Sequence, residues 1–130
     1  VLIMAAAVAD FQPVAAAPEK IRRKSALEAI SLQQAPDIIK TVRPDFKGTI
    51  VAFSLQADDN MDSAKAKLVD KGADYLVVNS YSEAGAAFDV DTNHVWILSP
   101  VGEVQEIPTA SKAEIARRIL EVVFPVGRAE

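Results

Sequence analysis

Three sets of residues have the types and spacing to do chemistry. Lys20-Ile21-Arg22-Arg23-Lys24 places four cations in five positions just beyond a turn. Cations at this density suit a triphosphate or pyrophosphate, because they offset its charge both when it binds and as it departs. The same run also reads as a solvated loop. Lys67 and Lys71 stand four residues apart in a segment of helical periodicity, on one flank of its apolar stripe. From there both can reach one ligand, or both can be ordinary surface lysines. Asp10 follows directly on the apolar run Val1–Val8. A carboxylate beyond the carboxyl end of a strand in an α/β sheet suits a ligand or metal contact, and equally a turn or cap. The three sets together point to an anionic ligand of the nucleotide class and name no reaction.

Other candidates are weaker. Asp89-Val90-Asp91-Thr92-Asn93 opens like a calcium loop, but His94 stands where that loop needs glycine and Pro100 where it needs the bidentate glutamate. Asp58, Asp59 and Asp62 read as dipole and capping residues of a first helical turn. His94, the sole histidine, reads as a partly exposed strand residue, and Trp96 as a packing residue at a sheet edge or face. The glycines, at 48, 72, 85, 102 and 127, are too scattered for a P-loop or a dinucleotide fingerprint. There is no G-x-S-x-G elbow and no H-E-x-x-H.

The elements that must position these residues follow from the hydrophobic pattern. Val1–Val8 is uniformly apolar and predicts a strand buried on both faces, ending in a turn at Asp10–Pro13. Residues 14–24 read as loop, and Leu27–Leu32 is ambiguous between strand and helix. Pro36–Val42 predicts a short helix with proline in its first turn, closing before Pro44. Thr49–Ser54 predicts a central strand, and residues 61–71 a helix that buries Met61, Ala64 and Leu68 and stops at Gly72. Tyr75–Val78 predicts a third buried strand, and residues 79–93 a loop. Val95–Leu98 and Glu103–Ile107 flank Ser99-Pro100-Val101-Gly102 as a hairpin. Ser111 and Glu114 form a capping box before a helix that presents Ile115, Ala116, Ile119, Leu120 and Val123 on one face. Strands alternating with helices predict an α/β fold with a mostly parallel central sheet, right-handed crossovers and a C-terminal hairpin and helix. Ligands of such sheets bind beyond the carboxyl ends of the strands, here after Val8, Phe53 and Val78.

Composition narrows the rest. Half of the 130 residues are hydrophobic and a quarter charged, which excludes a disordered tail, a collagen-like chain and a coiled coil. A net charge of −4 disfavours sequence-independent nucleic-acid binding. The absence of cysteine excludes disulfides, thiolate metal sites and a cysteine nucleophile within the chain, and leaves a cytoplasmic location as the default. No apolar stretch reaches the ~18–20 residues of a membrane helix. The opening residues superficially resemble a signal-peptide core but lack a charged leader. The chain starts inside an apolar run without methionine, so the expectation is the C-terminal part of a longer protein.

The motifs, taken in order, resemble those of the phosphopantothenate–cysteine ligase (phosphopantothenoylcysteine synthetase) family. Ala5–Pro13 and Ala17–Arg23 resemble its A-A-A-V-A-D-[YF]-x-P and E-K-I-K-K stretches. Pro36-Asp37-Ile38-Ile39 resembles N-P-D-I-[LV], and Val51–Gln56 resembles V-G-F-A-A-E. Lys65, Lys67 and Lys71 fall in an A-x-x-K-L-x-x-K helix, Val78-Asn79-Ser80 resembles A-N-D, and Phe88, Asp91 and Asn93 resemble F-x-S-D-x-N.

The resemblance implies a Rossmann-like three-layer sandwich, with residues 1–130 the C-terminal part of a single nucleotide-binding ligase domain. It implies activation of the 4′-phosphopantothenate carboxylate by CTP with Mg²⁺, then attack by cysteine on the acyl-cytidylate, in a cytoplasmic homodimer. Fusion to a flavin-dependent decarboxylase is a further implication. By match, Met4, Ala5 and Ala6 offer backbone groups to the nucleotide and Asp10 contacts it. Lys20 is the catalytic cation at the triphosphate. The Pro36–Ile39 segment starts a helix and presents the backbone N–H groups of Asp37, Ile38 and Ile39 to phosphate, Phe53 packs on base or ribose, and Lys67 and Lys71 close around the nucleotide. The family's G-G-T and N-x-S-S-G-K-M-G segments are absent and belong upstream of Val1, so this stretch alone is expected not to complete the reaction. Gln56 stands for the family's Glu, and Ser80 for its Asp. Ala52–Leu55 departs from the bacterial G-F-A-A, which leaves ATP as the alternative to CTP. A diverged, non-catalytic nucleotide-binding module is the alternative function.

Overall fold

A computed structural model describes residues 1–16, 18–20, 29–56, 60–80 and 91–125. Arg22, Arg23 and Lys24 of the basic run, Leu27 and Glu28, Asp58 and Asp59, and Phe88 and Asp89 lie outside the described residues. The elements run β1 (Leu2–Met4), β2 (Phe11–Pro13), β3 (Leu32–Gln34), α1 (Ile38–Val42), β4 (Ile50–Gln56), α2 (Met61–Lys71), β5 (Tyr75–Ser80), β6 (Thr92–Leu98), β7 (Val104–Ser111) and α3 (Lys112–Val123). The main sheet has the order β1-β4-β5-β6-β7, and β2 and β3 form a separate antiparallel ribbon.

β1, β4 and β5 pair in parallel, while β6 is antiparallel to both its neighbours. Four of the five strands therefore run the same way, as the alternation of strands and helices predicts. The Tyr75–Ser80 strand meets the hairpin through the register Leu76↔Leu98 to Asn79↔Val95. Hairpin closure uses Gly102 at φ 82°, whose N–H donates to the Ser99 carbonyl (3.0 Å).

Strand alternation sorts the core into two layers. Ile50, Ala52, Leu76, Val78 and Leu98 face Ile39 of α1 and Ala64 and Leu68 of α2. Val51, Val77, Val95, Ile97 and Ile107 face Ile115, Ile119 and Val123 of α3. This gives the three-layer sandwich of the sequence reading. Ile50, Val51, Leu76 and Val77 are fully buried, each contributing about 1.5–3 kcal/mol by leaving water.

Local signals end the helices where expected. Asn60 Oδ1 accepts from the N–H groups of Asp62 and Ser63 at the start of α2, and Gly72 ends it at φ 64°. Ser111 Oγ accepts from Glu114 N–H (3.2 Å), but the Glu114 side chain turns to Arg117 and Arg118, so only half of the expected capping box forms. Pro36 precedes the Asp37 cap of α1 rather than sitting in its first turn.

Three expectations need correction. The first strand is three residues long, not eight, and is not buried on both faces: Ile3 and Val8 are exposed. β1 has a single partner among the described strands, and α3 packs on β6 and β7, leaving the far end of its face open. Asp10–Pro13 is more than a turn, since residues 11–13 pair with β3. That ribbon is exposed throughout and carries Pro13, so it has neither the burial nor the alternation that marks a strand in sequence. Finally, Ala116 and Leu120 are exposed rather than buried with Ile115 and Ile119, because that flank of α3 overhangs the open end of the sheet.

Candidate functional site at the carboxyl edge of the sheet

Two adjacent residues of β4 show how the site is divided. Phe53 packs with the α3 layer, whereas Ser54 accepts a hydrogen bond from Lys67 of α2 (3.2 Å). The pleat sends neighbouring side chains to opposite faces, so the carboxyl end of this strand carries an aromatic ring on one side and a cation on the other.

On the α3 side lies a groove of about 390 Å³ lined by Ile3, Ala5, Phe53, Asn79, Asn93, Lys112 and the Ile115–Leu120 flank of α3. Its walls are mostly apolar, and its polar groups come from the end of β5, the start of β6 and the start of α3. Such a groove accepts a flat or aliphatic group and offers it a few hydrogen bonds at one end.

On the other side, α1 and α2 are joined by charge. Asp37 Oδ1 caps α1 by accepting from Lys40 N–H (3.1 Å), and its Oδ2 accepts from Lys71 Nζ (2.8 Å). Burial pushes the Asp37 carboxyl up, but the hydrogen bonds from Lys71, Lys40 N–H and Ile39 N–H and the charge of Lys71 outweigh it and hold it below its ordinary value. A second pair, Lys40 Nζ to Asp70 Oδ1 (2.7 Å), joins the same helices further out. At the base of the sheet, Asp74 Oδ2 accepts from Ile50 N–H (2.8 Å) and from Arg43 (3.0 Å), fixing the entry to β4.

The residues expected from sequence therefore fall in three places. Ala5 and Phe53 line the groove. Met4, Asp37, Ile39, Lys67 and Lys71 belong to the α1/α2 side, with Pro36 and Ile38 exposed beside them. Ala6, Asp10 and Lys20 are exposed and are not among the residues that line the groove, and the Asp10 carbonyl accepts from Ala35 N–H (2.8 Å), which brings the first turn against the entry to α1. Lys67 and Lys71 do not share a partner; one bonds Ser54 and the other Asp37. The amides at the start of α1 already face the Asp37 carboxylate.

Sequence reasoning missed Lys112 as a groove residue and Ser54 and Asp37 as the groups that hold the lysines. The period-two alternation of β4 was the available signal for the division between Phe53 and Ser54. His94 is more sheltered than expected: its ring is 12% exposed, lies 4.2 Å from Trp96 and bonds Glu106 (2.9 Å).

The sequence model of the family described as DNA/pantothenate metabolism flavoprotein C-terminal domain matches residues 1–126. The chain belongs to this family. The ligase resemblance drawn from the ordered motifs is thereby borne out. Among the family's relatives, the coenzyme A biosynthesis bifunctional protein CoaBC of Mycobacterium tuberculosis H37Rv is 38% identical over 95% of this chain and 32% of its own length. The Bacillus subtilis protein of the same name is 32% identical over 98% of this chain and 32% of its own. A cysteine/cysteine sulfinic acid decarboxylase is 33% identical over 95% of this chain and 35% of its own. The chain thus spans about a third of the length of each of these relatives. The crystal structure of the C-terminal domain of a CoaBC protein aligns with a TM-score of 0.60 at 34% identity, over 71% of this chain and 44% of that one. The DNA/pantothenate metabolism flavoprotein of Streptococcus pneumoniae shares the fold, with a TM-score of 0.71 at 22% identity over 94% of this chain and 61% of that one. No helix among the described residues is long and apolar enough to cross a membrane.

Proposed function

We propose that this chain is the nucleotide-binding part of a phosphopantothenate–cysteine ligase domain of coenzyme A biosynthesis. The 4′-phosphopantothenate carboxylate attacks the α-phosphate of CTP, taken as its Mg²⁺ complex, to give an acyl-cytidylate and pyrophosphate. The cysteine amine then displaces CMP and forms the amide. ATP is the alternative nucleotide. The observation that carries the reading is the carboxyl edge where β1, β4 and β5 end, with Ala5 and Phe53 lining a groove on one side and Lys67 held at Ser54 on the other. In this reading Phe53 and Ala5 take the base and ribose, and Lys67 and Lys71 take phosphate charge. Lys20, on the exposed stretch beyond β2, stabilises the pyrophosphate as it leaves. In this reading Mg²⁺ arrives on the triphosphate, and Asp10 is the carboxylate that contacts the nucleotide. A homodimer, a fused flavin-dependent decarboxylase and a cytoplasmic location belong to the same proposal.

One observation favours the alternative of a diverged binding module. Gln56, which stands for the family's Glu, is buried, and both polar atoms of its amide lack a hydrogen-bond partner among the described residues. Turnover separates the two readings. The full-length protein, given CTP·Mg²⁺, phosphopantothenate and cysteine, is expected to release CMP and pyrophosphate. Lys20→Ala is expected to slow that release at least ~10-fold, the loss of one charge-assisted contact. Nucleotide binding without product at saturating substrates would establish the binding module instead.

A further inference from the structure

We propose that Asp37 is a positioning residue for Lys71, holding its ammonium ready for a nucleotide phosphate group. The proposal rests on the reading above, in which Lys71 meets the phosphates. A lysine is a point charge on a flexible four-carbon stem, and fixing it costs rotamer entropy at the moment of binding. Here that ordering is built into the fold. The Asp37 carboxylate is itself held at the start of α1: Oδ1 accepts from Lys40 N–H, and the Asp37 carbonyl accepts from Thr41 N–H (2.9 Å) and Thr41 Oγ1 (2.8 Å). Oδ2 is left to receive Lys71 Nζ at 2.8 Å. Both side chains are about two-thirds covered, at 31% and 29% exposure, against 45% and 68% for the Lys40–Asp70 pair. The outer pair already ties α1 to α2, so a tie between helices does not by itself account for the inner one. One turn earlier on α2, Lys67 is held in the same manner by Ser54. Two lysines of one helix are thus each oriented by a group from a different element.

The experiment turns on the sign of one substitution. Asparagine caps a helix about as well as aspartate, so Asp37→Asn keeps α1 closed while removing the ionic partner of Lys71. It also removes a negative charge beside a site for a polyanion, which by electrostatics alone tightens nucleotide binding. Lost positioning weakens it. Calorimetric titration of the full-length protein with CTP·Mg²⁺ is expected to show Kd rising ~5–10-fold in Asp37→Asn, with a thermal midpoint at neutral pH lowered only by the lost ion pair and less than in Asp37→Ala. Lys71→Met is expected to match it, and the double variant to be no weaker than Lys71→Met alone. Asp37→Ala is expected to lower the thermal midpoint further, through the lost cap. Unchanged or tighter binding in Asp37→Asn, with weaker binding in Lys71→Met, would overturn the positioning role and leave the nucleotide site standing. Unchanged binding in both would remove Lys71 from the site and the proposal with it. A wild-type protein that binds neither CTP·Mg²⁺ nor ATP·Mg²⁺ would defeat the functional reading first.

Discussion

The two faces of the sheet are built on different terms. Both faces bury an apolar core, and the α1/α2 face adds polar ties around it: Asp37 with Lys71, Lys40 with Asp70, and Lys67 reaching Ser54 across to β4. The α3 face is joined by apolar packing over β6 and β7, and becomes an open groove where α3 stops covering β1 and β4. Charge needs orientation and tolerates some water; apolar surface needs only exclusion. A ligand that is aliphatic or aromatic at one end and polyanionic at the other would use both kinds of surface, and the carboxyl edge is where they meet. The difference between the faces is thus a difference in the ligand chemistry that each can accept.

The largest expected effect lies on α3. Ile115→Ala is expected to cost about 2–5 kcal/mol, because Ile115 is buried between helix and sheet and its loss leaves a cavity. Leu120→Ala, on the overhanging flank at 45% exposure, is expected to cost about 0.5 kcal/mol. Urea denaturation of the two variants reads the contrast directly. Equal costs would mean that the groove is closed in solution and that the comparison of faces is wrong on the apolar side.

The next effect lies on the charged face and in binding rather than stability. Lys67→Ala removes a cation held at 3.2 Å from Ser54. A charge-assisted contact of about 1.5–3 kcal/mol to a phosphate predicts at least ~10-fold weaker nucleotide binding. Thermal stability is expected to stay nearly constant, since the bond to Ser54 is one polar contact near the surface. Weaker folding with unchanged binding would make Lys67 a structural residue.

How much of this was legible in sequence varies with how local the cause is. β4, α2, β5, the hairpin and α3 follow from periodicity and caps: Gly72 ends α2 and Ser111 starts α3 as their residue types require. The β2–β3 ribbon was not legible, because Phe11, Gln12 and Pro13 are all exposed and pair with residues some twenty positions away. The candidate residues were legible as types, Lys67, Lys71, Asp37 and Phe53 among them. Their grouping was not, since no local signal says that Lys71 finds Asp37 while Lys67 finds Ser54. The exposure of Leu120 was hidden for a similar reason: its spacing suits a core face, and only the tertiary question of what lies opposite decides whether it is covered.

The smallest expected effect concerns a charge cluster that serves neither ligand surface. On the outer side of α3, Glu114 accepts from Arg117 and from Arg118 (2.8 Å), and Arg117 also reaches Glu121. The hydrogen bonds from Arg117 and then Arg118 hold the Glu114 carboxyl down at about 2, against 4.5 for the free group. A carboxyl lowered on folding stabilises the native state above its unfolded value, and that contribution fades as pH falls toward the folded value. Thermal melts between pH 5 and pH 2 are therefore expected to show a shallower acid loss for Glu114→Gln than for the wild type across about 4.5 to 2. The difference is expected to shrink in 1 M salt, because the cluster is exposed to solvent. Asp37→Asn is also expected to flatten the acid limb, and to do so with less salt dependence, since its pair is better covered. An acid limb that responds to Glu114 and not to Asp37 would mean that the inner ion pair does not persist in solution. The charged face would then be no better ordered than the outer surface of α3.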